Sequence, residues 1–425
     1  MTSTQPAKSN AGFWAVFRVS SGNFLEMYDF MVFGYYAEAI GAAFFPQGDE
    51  VTRLLLAFMT FGAGFLMRPL GAVVLGAYAD KHGRRAGLLL TLTLMAVGVI
   101  SLALTPGYKT IGIAAPLIVL AGRLLQGFSA GMELGGVSVY LSEIAPPGRK
   151  GFYVAWQSAS QQVAVVVAAI IGLVLNRTLG HAEMNAWGWR IPLLIGCLIA
   201  PVLFYLRRSM QETEAFEQQK HRPELAEVWR SLLTHARIVG IGLMLVTMTT
   251  VSFYMITAYT PTFGTAVLKL SSTAAFTVTM CVGLSNLVLL PVMGAMSDRV
   301  GRKPLLYACT LLMLVTAYPA MRWLTSAPSF ARLLTVELWL AVLYASYNGA
   351  MVVFLTEMIP VKLRAAGFSL AYSLAAALFG GFSPAIATWL IKQTGDKAMP
   401  GAWLSAAAVM GLAAALMARK HEEEA

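Results

Sequence analysis

The stretches GAYADKHGRR (residues 76–85) and GAMSDRVGRK (residues 294–303) follow one pattern: glycine, aspartate four residues on, a base, a second glycine, then arginine and another base. Each closes a long apolar run. Asp80 and Asp298 fall at the end of the run, and a basic cluster containing Arg84 or Arg302 follows. Gly83 and Gly301 permit a tight reversal of the chain. Gly76 and Gly294 are expected to let helices approach closely, as small residues do inside membranes. A solvated turn would account for either cassette alone. Equal spacing in both halves of the chain points to duplication and to paired gating elements, Gly76, Asp80 and Arg84 in one half and Gly294, Asp298 and Arg302 in the other.

A looser correspondence supports the duplication. YLSEIAPPGRKG (140–151) and FLTEMIPVKLRAAG (354–367) set Glu143 against Glu357 and Pro146 against Pro360.

Composition explains why such cassettes sit in an apolar chain. Of 425 residues, 57% are hydrophobic and 12% charged, with a mean hydropathy of +0.66. Globular domains carry roughly 25% charged residues, and single cores stop growing beyond roughly 250–300 residues, so the bilayer is the solvent this composition suits. Cys197, Cys281 and Cys309 lie in apolar runs without CxxC or His spacing, so no disulfide or zinc framework is expected. The net charge of +10 is not clustered as nucleic-acid binding requires. The N-terminus MTSTQPAKSN is short and polar and leads into an apolar run without a small-residue cleavage site, so no cleaved signal peptide is expected.

A spanning helix needs about 20 mostly apolar residues. Twelve stretches qualify: 18–45, 52–78, 86–105, 112–140, 152–176, 190–206, 238–262, 272–296, 304–324, 332–356, 365–391 and 401–418. The predicted architecture is all-α, with twelve transmembrane helices in two bundles of six. Residues 1–206 and 238–425 form the bundles, and the charged stretch 207–237 links them. With the N-terminus inside, the cytoplasmic segments hold twenty Lys and Arg and the outer segments nine. That asymmetry places both termini in the cytoplasm. Arg68 and Arg123 are left inside spans.

The doubled cassette resembles the signature loop of the major facilitator superfamily over the whole chain. GRLLQGFSAG (122–131) resembles that superfamily's helix-4 motif, and SSGNFLEMYDFMVFGYYA (20–37) the first helix of its metabolite–proton symporter branch. LLQGFSAGMELGGVSVYLSEIA, WQSASQQVAVVVAAIIG and RRSMQETEAF are similar to the bacterial symporters of citrate and tricarballylate. The resemblance implies a multi-pass protein of the bacterial inner membrane. It implies alternating access about a midplane site between the halves, a tricarboxylate substrate and a coupling proton.

Ionisable groups inside a span cost a few kcal/mol and need a reason. Glu26, Asp29, Arg68 and Arg123 stand out in the N-terminal half, with Glu133 nearer the inner end of its helix. The C-terminal half has no comparable Lys or Arg. Arg123 can hold a carboxylate bidentately, and the resemblance puts it at the cavity; the alternative is a structural pair with Asp29 or Glu26. Arg68 is open between substrate contact and such a pair. Burial favours a neutral carboxyl and a nearby guanidinium favours a carboxylate. A substrate competing for Arg123 would therefore free Asp29 or Glu26 to take a proton. These two stand three apart and cannot point the same way. Which of them titrates is open.

Neutral polar residues complete the expected site. Asn23 shares a face with Glu26, and Gln157 and Gln161 form a stripe beside Ser158 and Gln162. Tyr254, Asn286, Tyr347, Asn348 and Tyr372 offer donors from the second half, with helix–helix hydrogen bonding the competing role for each. Tyr259 reads as an interfacial belt residue. LFGGFSPAIA (378–387) suggests a bend. No HExxH or P-loop pattern occurs and no His falls mid-span, so an enzyme is not expected. No cofactor or metal is expected beyond the coupling ion, H+ or in its place Na+, and the protein is expected to be a monomer. A dicarboxylate, a shikimate-like acid or an osmolyte is the alternative cargo.

Overall fold

Water cannot satisfy backbone groups inside a bilayer, so an apolar chain of this kind must close its hydrogen bonds within helices. The computed structural model describes residues 24–82, 84–131, 133–208, 234–360 and 364–418, and among them there is no strand. Asn23 and most of the 207–237 linker lie outside the described residues, as do the side chains of Asp80, Arg84 and Glu133.

Twelve helical spans run in order among the described residues. In the first half they are α1 (Phe24–Tyr35 continued by Ala37–Phe44), α2 (Glu50–Leu66 and Arg68–His82), α3 (Arg84–Leu104), α4 (Ala114–Ala130 and Glu133–Ile144), α5 (Lys150–Thr178) and α6 (Arg190–Arg208). The second half begins with α7, which is Ala236–Tyr254 followed by two π-turns, Met255–Tyr259 and Phe263–Val267, around Thr260–Thr262. Then come α8 (Ser272–Val300), α9 (Arg302–Ser326), α10 (Phe330–Met358), α11 (Arg364–Ala375, Ala376–Gly380 and Ser383–Thr394) and α12 (Met399–Met417). Eight of these are long and apolar enough to cross a membrane. Of the other four, α1 breaks at Tyr36 and α4 at Gly131, while the apolar part of α3 is the shorter Leu89–Leu104. Where a bend was expected in α11, the helix passes into the π-turn Ala376–Gly380 and restarts at Ser383 with Pro384 in its first turn.

Exposed apolar side chains lie on α3, α6, α9 and α12, among them Val97, Leu198, Val315 and Val409. These four helices carry faces for lipid. The helices α1, α7 and α10 are the most enclosed, and among the eight long apolar spans α10 is buried furthest. The halves meet along α2, α5, α8 and α11. On the antiparallel α5–α8 seam, a Cβ on Gly151 would sit 2.3 Å from the Gly294 carbonyl, and one on Gly172 2.4 Å from the Phe276 ring. Gly294 thus makes the expected close approach. Gly76 does not, since a Cβ there would meet no described atom within 4 Å. In the N-terminal half the tight crossing lies higher, between α2 and α4, where Gly64, Gly71, Gly127 and Gly131 abut the opposing backbone.

The halves touch at both ends of the bundle. At one end the Asp298 carboxylate accepts from the backbone N–H of Gly151 at 2.8 Å and of Phe152 at 3.0 Å, in the first turn of α5. The positive end of the α5 dipole adds to that contact. Arg302 holds Asp298 in place at 2.7 Å and reaches Glu357 at 3.2 Å. At the other end, the Thr262 hydroxyl donates to the Gly34 carbonyl at 2.9 Å, and Phe58 packs against Tyr259 with ring centroids 5.5 Å apart. Lys392 reaches Asp49 there at 3.5 Å.

Candidate functional site

The glycine-lined crossing of α2 and α4 sets two arginines against α1. Arg68 and Glu26 form an ion pair, and Arg123 Nη1 donates to Asp29 at 2.7 Å and to Gln126 Oε1 at 2.6 Å. The two carboxylates, three residues apart, therefore point at different helices, Glu26 at α2 and Asp29 at α4. Arg68, Arg123 and Asp29 are each 1% exposed and Glu26 is 6%.

Aromatic rings fill the space between the pairs. The Phe30 ring lies 5.3 Å from the guanidinium carbon of Arg68 and 5.6 Å from that of Arg123. Phe33 covers Arg123 at 3.9 Å and Phe65 covers Arg68 at 4.7 Å. Desolvated cation–π contacts of this kind contribute about 2 kcal/mol. The aromatic series then crosses to the second half, where Phe65 and Tyr254 meet at 5.2 Å and Phe61 and Tyr254 at 5.9 Å. Tyr254 and Tyr372 both lie within electrostatic reach of Arg68 and Glu26, and Tyr344 within reach of both tyrosines. The predicted residues Glu26, Asp29, Arg68, Arg123, Tyr254 and Tyr372 thus form one continuous cluster across both halves.

Several polar atoms in this interior have no hydrogen-bond partner among the described residues. They include Asp29 Oδ1, Arg68 Nε, Arg123 Nε and Nη2, Gln126 Nε2 and Gln157 Nε2. Both amide atoms of Gln162, Asn286 and Asn348 are likewise unpaired. Each such group costs about 1–3 kcal/mol, and buried ion pairs seldom repay their desolvation. The arrangement is a poor way to stabilise a fold and a good way to receive a polar ligand. On Arg123, Nε and Nη2 form the side-on fork that matches a carboxylate.

The remaining predicted donors separate from the cluster or stay at its edge. The Tyr347 hydroxyl, expected to face the cavity, donates instead to the Leu245 carbonyl at 2.9 Å and ties α10 to α7. Gln157 accepts from Ser158 at 2.8 Å, and Gln161 is 4% exposed. Tyr259 is not a lipid-belt residue: it is 1% exposed, packed on Phe58 and hydrogen-bonded to Thr388 at 3.2 Å. The stretch GFSAG (127–131) spells GxSxG, but Ser129 sits inside α4 with its hydroxyl on the Gln126 carbonyl at 2.8 Å, so there is no strand-to-helix elbow to present it. Among the described residues no group of His, Cys, Asp and Glu could hold a metal.

Phe30, Phe33 and Tyr344 were not foreseen from the sequence. An aromatic in an apolar helix carries no signal until its neighbour is known to be a guanidinium. Glu337 on α10 was also missed, and here a signal existed, a lone carboxylate in the apolar run LLTVELWLAVL.

Comparison with known proteins follows the same lines. The family model described as sugar (and other) transporter matches residues 14–229, and the model of the major facilitator superfamily matches residues 268–424. The chain is 59% identical to a citrate-proton symporter of Salmonella typhi, over 98% of this chain and 96% of that one. It is 57% identical to a citrate-proton symporter of Klebsiella pneumoniae, over 94% of this chain and 90% of that one. Among solved structures, the partially occluded inward-open xylose transporter XylE from E. coli superposes with a TM-score of 0.78. That match covers 98% of this chain and all of the other, and at 19% identity it speaks for the fold alone.

Proposed function

Because this chain belongs to the major facilitator superfamily, a multi-pass membrane transporter rather than an enzyme, we propose that it carries citrate, or a tricarboxylate of the same shape, together with protons. The observation that carries the reading is the Arg123 guanidinium, bound through Nη1 to Asp29 and Gln126 while Nε and Nη2 have no partner among the described residues. The 59% identity to a citrate-proton symporter supports the cargo and the coupling ion.

The chemistry follows from one exchange. A substrate carboxylate approaching the Nε–Nη2 fork competes with Asp29 for the guanidinium. Asp29, losing its counter-charge in a desolvated site, accepts a proton, so an anion and a proton are bound in the same step. Arg68 supplies a second cation for another carboxylate, with Glu26 answering as Asp29 does. Tyr254 and Tyr372 contribute hydroxyl donors from the second half, so the bound substrate draws the halves together. Alternating access then opens the Asp298 end or the Asp49 end while the other stays closed.

The same reading puts the protein in the bacterial inner membrane as a monomer with both termini in the cytoplasm. It requires no organic cofactor and no resident metal, only the coupling ion. Uptake into proteoliposomes under separately imposed proton and sodium gradients tests it, with citrate, tricarballylate and a dicarboxylate as cargo. Proton-driven, saturable citrate uptake is expected. Uptake driven by sodium alone, or of the dicarboxylate but not citrate, overturns it.

A further inference from the structure

The second half carries one acidic side chain that this exchange leaves unused. Glu337 on α10 is 3% exposed, and its Oε2 has no hydrogen-bond partner among the described residues. Its carboxyl borders a cavity of about 10 Å³ lined by Met255, Phe263, Met321, Leu404 and Tyr259. That is marginal room for one water. Tyr259 is the other titratable group among the lining residues. The cations on the neighbouring turns are engaged elsewhere. Arg322 on α9 pairs with Asp396 at 3.8 Å, and Arg332 on α10 donates to the Trp323 carbonyl at 2.7 Å and to Ser326 at 2.8 Å. The α12 residues lining the cavity, Pro400 and Leu404, are uncharged.

The carboxyl also meets the Thr260 hydroxyl, which lies 3.2 Å from the Met255 carbonyl as well. A threonine hydroxyl has one proton and an ionised carboxylate none. That single proton is shared between two acceptors, the Met255 carbonyl and the Glu337 carboxyl, so Thr260 by itself cannot compensate an ionised Glu337. An ionised carboxylate left here without a cation would cost several kcal/mol.

Thr260 belongs to the segment that closes the Asp49 end. Between its flanking π-turns, Thr262 donates to Gly34 of α1 at 2.9 Å, and Ala258 lies so close to Gly34 that a Cβ there would meet its carbonyl at 2.9 Å. We propose that Glu337 is a proton-binding site of this gate, distinct from the Asp29–Arg123 exchange: it holds a proton while α7 is closed on α1, and releases it to the adjoining aqueous phase when α7 withdraws and water enters. The proton leaves Glu337 as an ion to water, and the carboxylate it leaves behind becomes hydrated. The proposal rests on the alternating-access reading but not on the identity of the cargo.

The experiment follows the gate without substrate, so its failure is separable from failure of the citrate assignment. Spin labels at Glu50→Cys and Thr394→Cys, with Cys197, Cys281 and Cys309 replaced by alanine, report opening of the Asp49 end in the full-length protein across pH 5–8. The open-to-closed ratio of the parent should rise with pH. In Glu337→Gln the slope should fall by one proton's worth, up to tenfold per pH unit, while Glu337→Asp should keep it. Equal slopes in the parent and Glu337→Gln overturn the proposal. Should Glu337→Gln fail to fold, Thr260→Val, which leaves the carboxyl in place and removes its hydrogen-bond partner, must displace the pH midpoint; an unmoved midpoint also overturns it.

Discussion

Asp29 and Arg123 meet at 2.7 Å between α1 and α4, each 1% exposed, and Gln126 shares the same guanidinium nitrogen at 2.6 Å. Removing one member of a buried pair leaves an uncompensated charge and costs about 3–5 kcal/mol. Arg123→Ala should therefore lower the melting temperature in detergent as well as abolish citrate uptake. Asp29→Asn combined with Arg123→Gln should recover much of the stability and none of the uptake. Near-normal citrate affinity in Arg123→Ala, with the protein still in the membrane, sinks the substrate assignment.

At the opposite level, Asp298 carries two backbone hydrogen bonds from the α5 terminus across the halves. Charge-assisted bonds of this type contribute about 1.5–3 kcal/mol. Asp298→Ala should shift the resting population toward opening at this end by roughly 10- to 100-fold, read as cysteine accessibility beside Gly151. An unchanged population would mean that the cassette does not latch the halves.

The Asp49–Lys392 contact at the other end behaves differently with pH. The hydroxyl and then the backbone N–H of Thr52 hold the Asp49 carboxyl below its ordinary value, with Lys392 adding to the effect. A depressed carboxyl contributes to the contact above the ordinary aspartate value of about 3.9 and loses that contribution only as pH falls through the lower value. Between pH 5 and 8 the charge on Asp49, and so its own contribution to the contact, is thus constant. Asp49→Asn should leave the shape of the pH profile of uptake over that range intact, while weakening closure slightly at low salt. A displaced profile in Asp49→Asn would contradict this.

Two glycines of the paired cassettes should respond unequally to the same change. A Cβ on Gly294 would stand 2.4 Å from the Gly151 carbonyl, whereas one on Gly76 meets no described atom within 4 Å. Gly294→Ala should part α5 from α8 and cost about 1–3 kcal/mol, while Gly76→Ala should be neutral within about 0.5 kcal/mol. Thermal unfolding of the two purified variants decides it, and equal losses would count against the asymmetry described here.

Much of the architecture was readable before any coordinate. The span lengths, the duplicated cassette and the four ionisable groups of the first half each carry a large cost or a rigid spacing, and costs of that size leave marks in a linear sequence. The pairing of those groups was readable only in part. Glu26 and Asp29 were known to diverge because a helix turns through about 100° per residue, but which arginine each would meet depends on how α2 and α4 cross. Gly76 shows the limit of symmetry: a repeat in sequence does not ensure a repeat in contact, because the N-terminal half makes its tight crossing at Gly127 and Gly64 instead. Tyr347 shows another, since one hydroxyl serves a cavity or a backbone carbonyl equally well until its neighbour is fixed.

By itself, then, the sequence determined the solvent, the span pattern, the duplication and the short set of charges that a bilayer tolerates only for a purpose. The tertiary structure decided the partners. It set Glu26 on Arg68 and Asp29 on Arg123, packed Phe30 between the two arginines, and joined Asp298 to the first turn of α5. It also buried Glu337 beneath the irregular turns of α7. The physical reason is that hydropathy and charge act residue by residue and so are written along the chain. A hydrogen bond or ion pair between distant residues exists only once helix crossings have fixed distances to within a few tenths of an ångström.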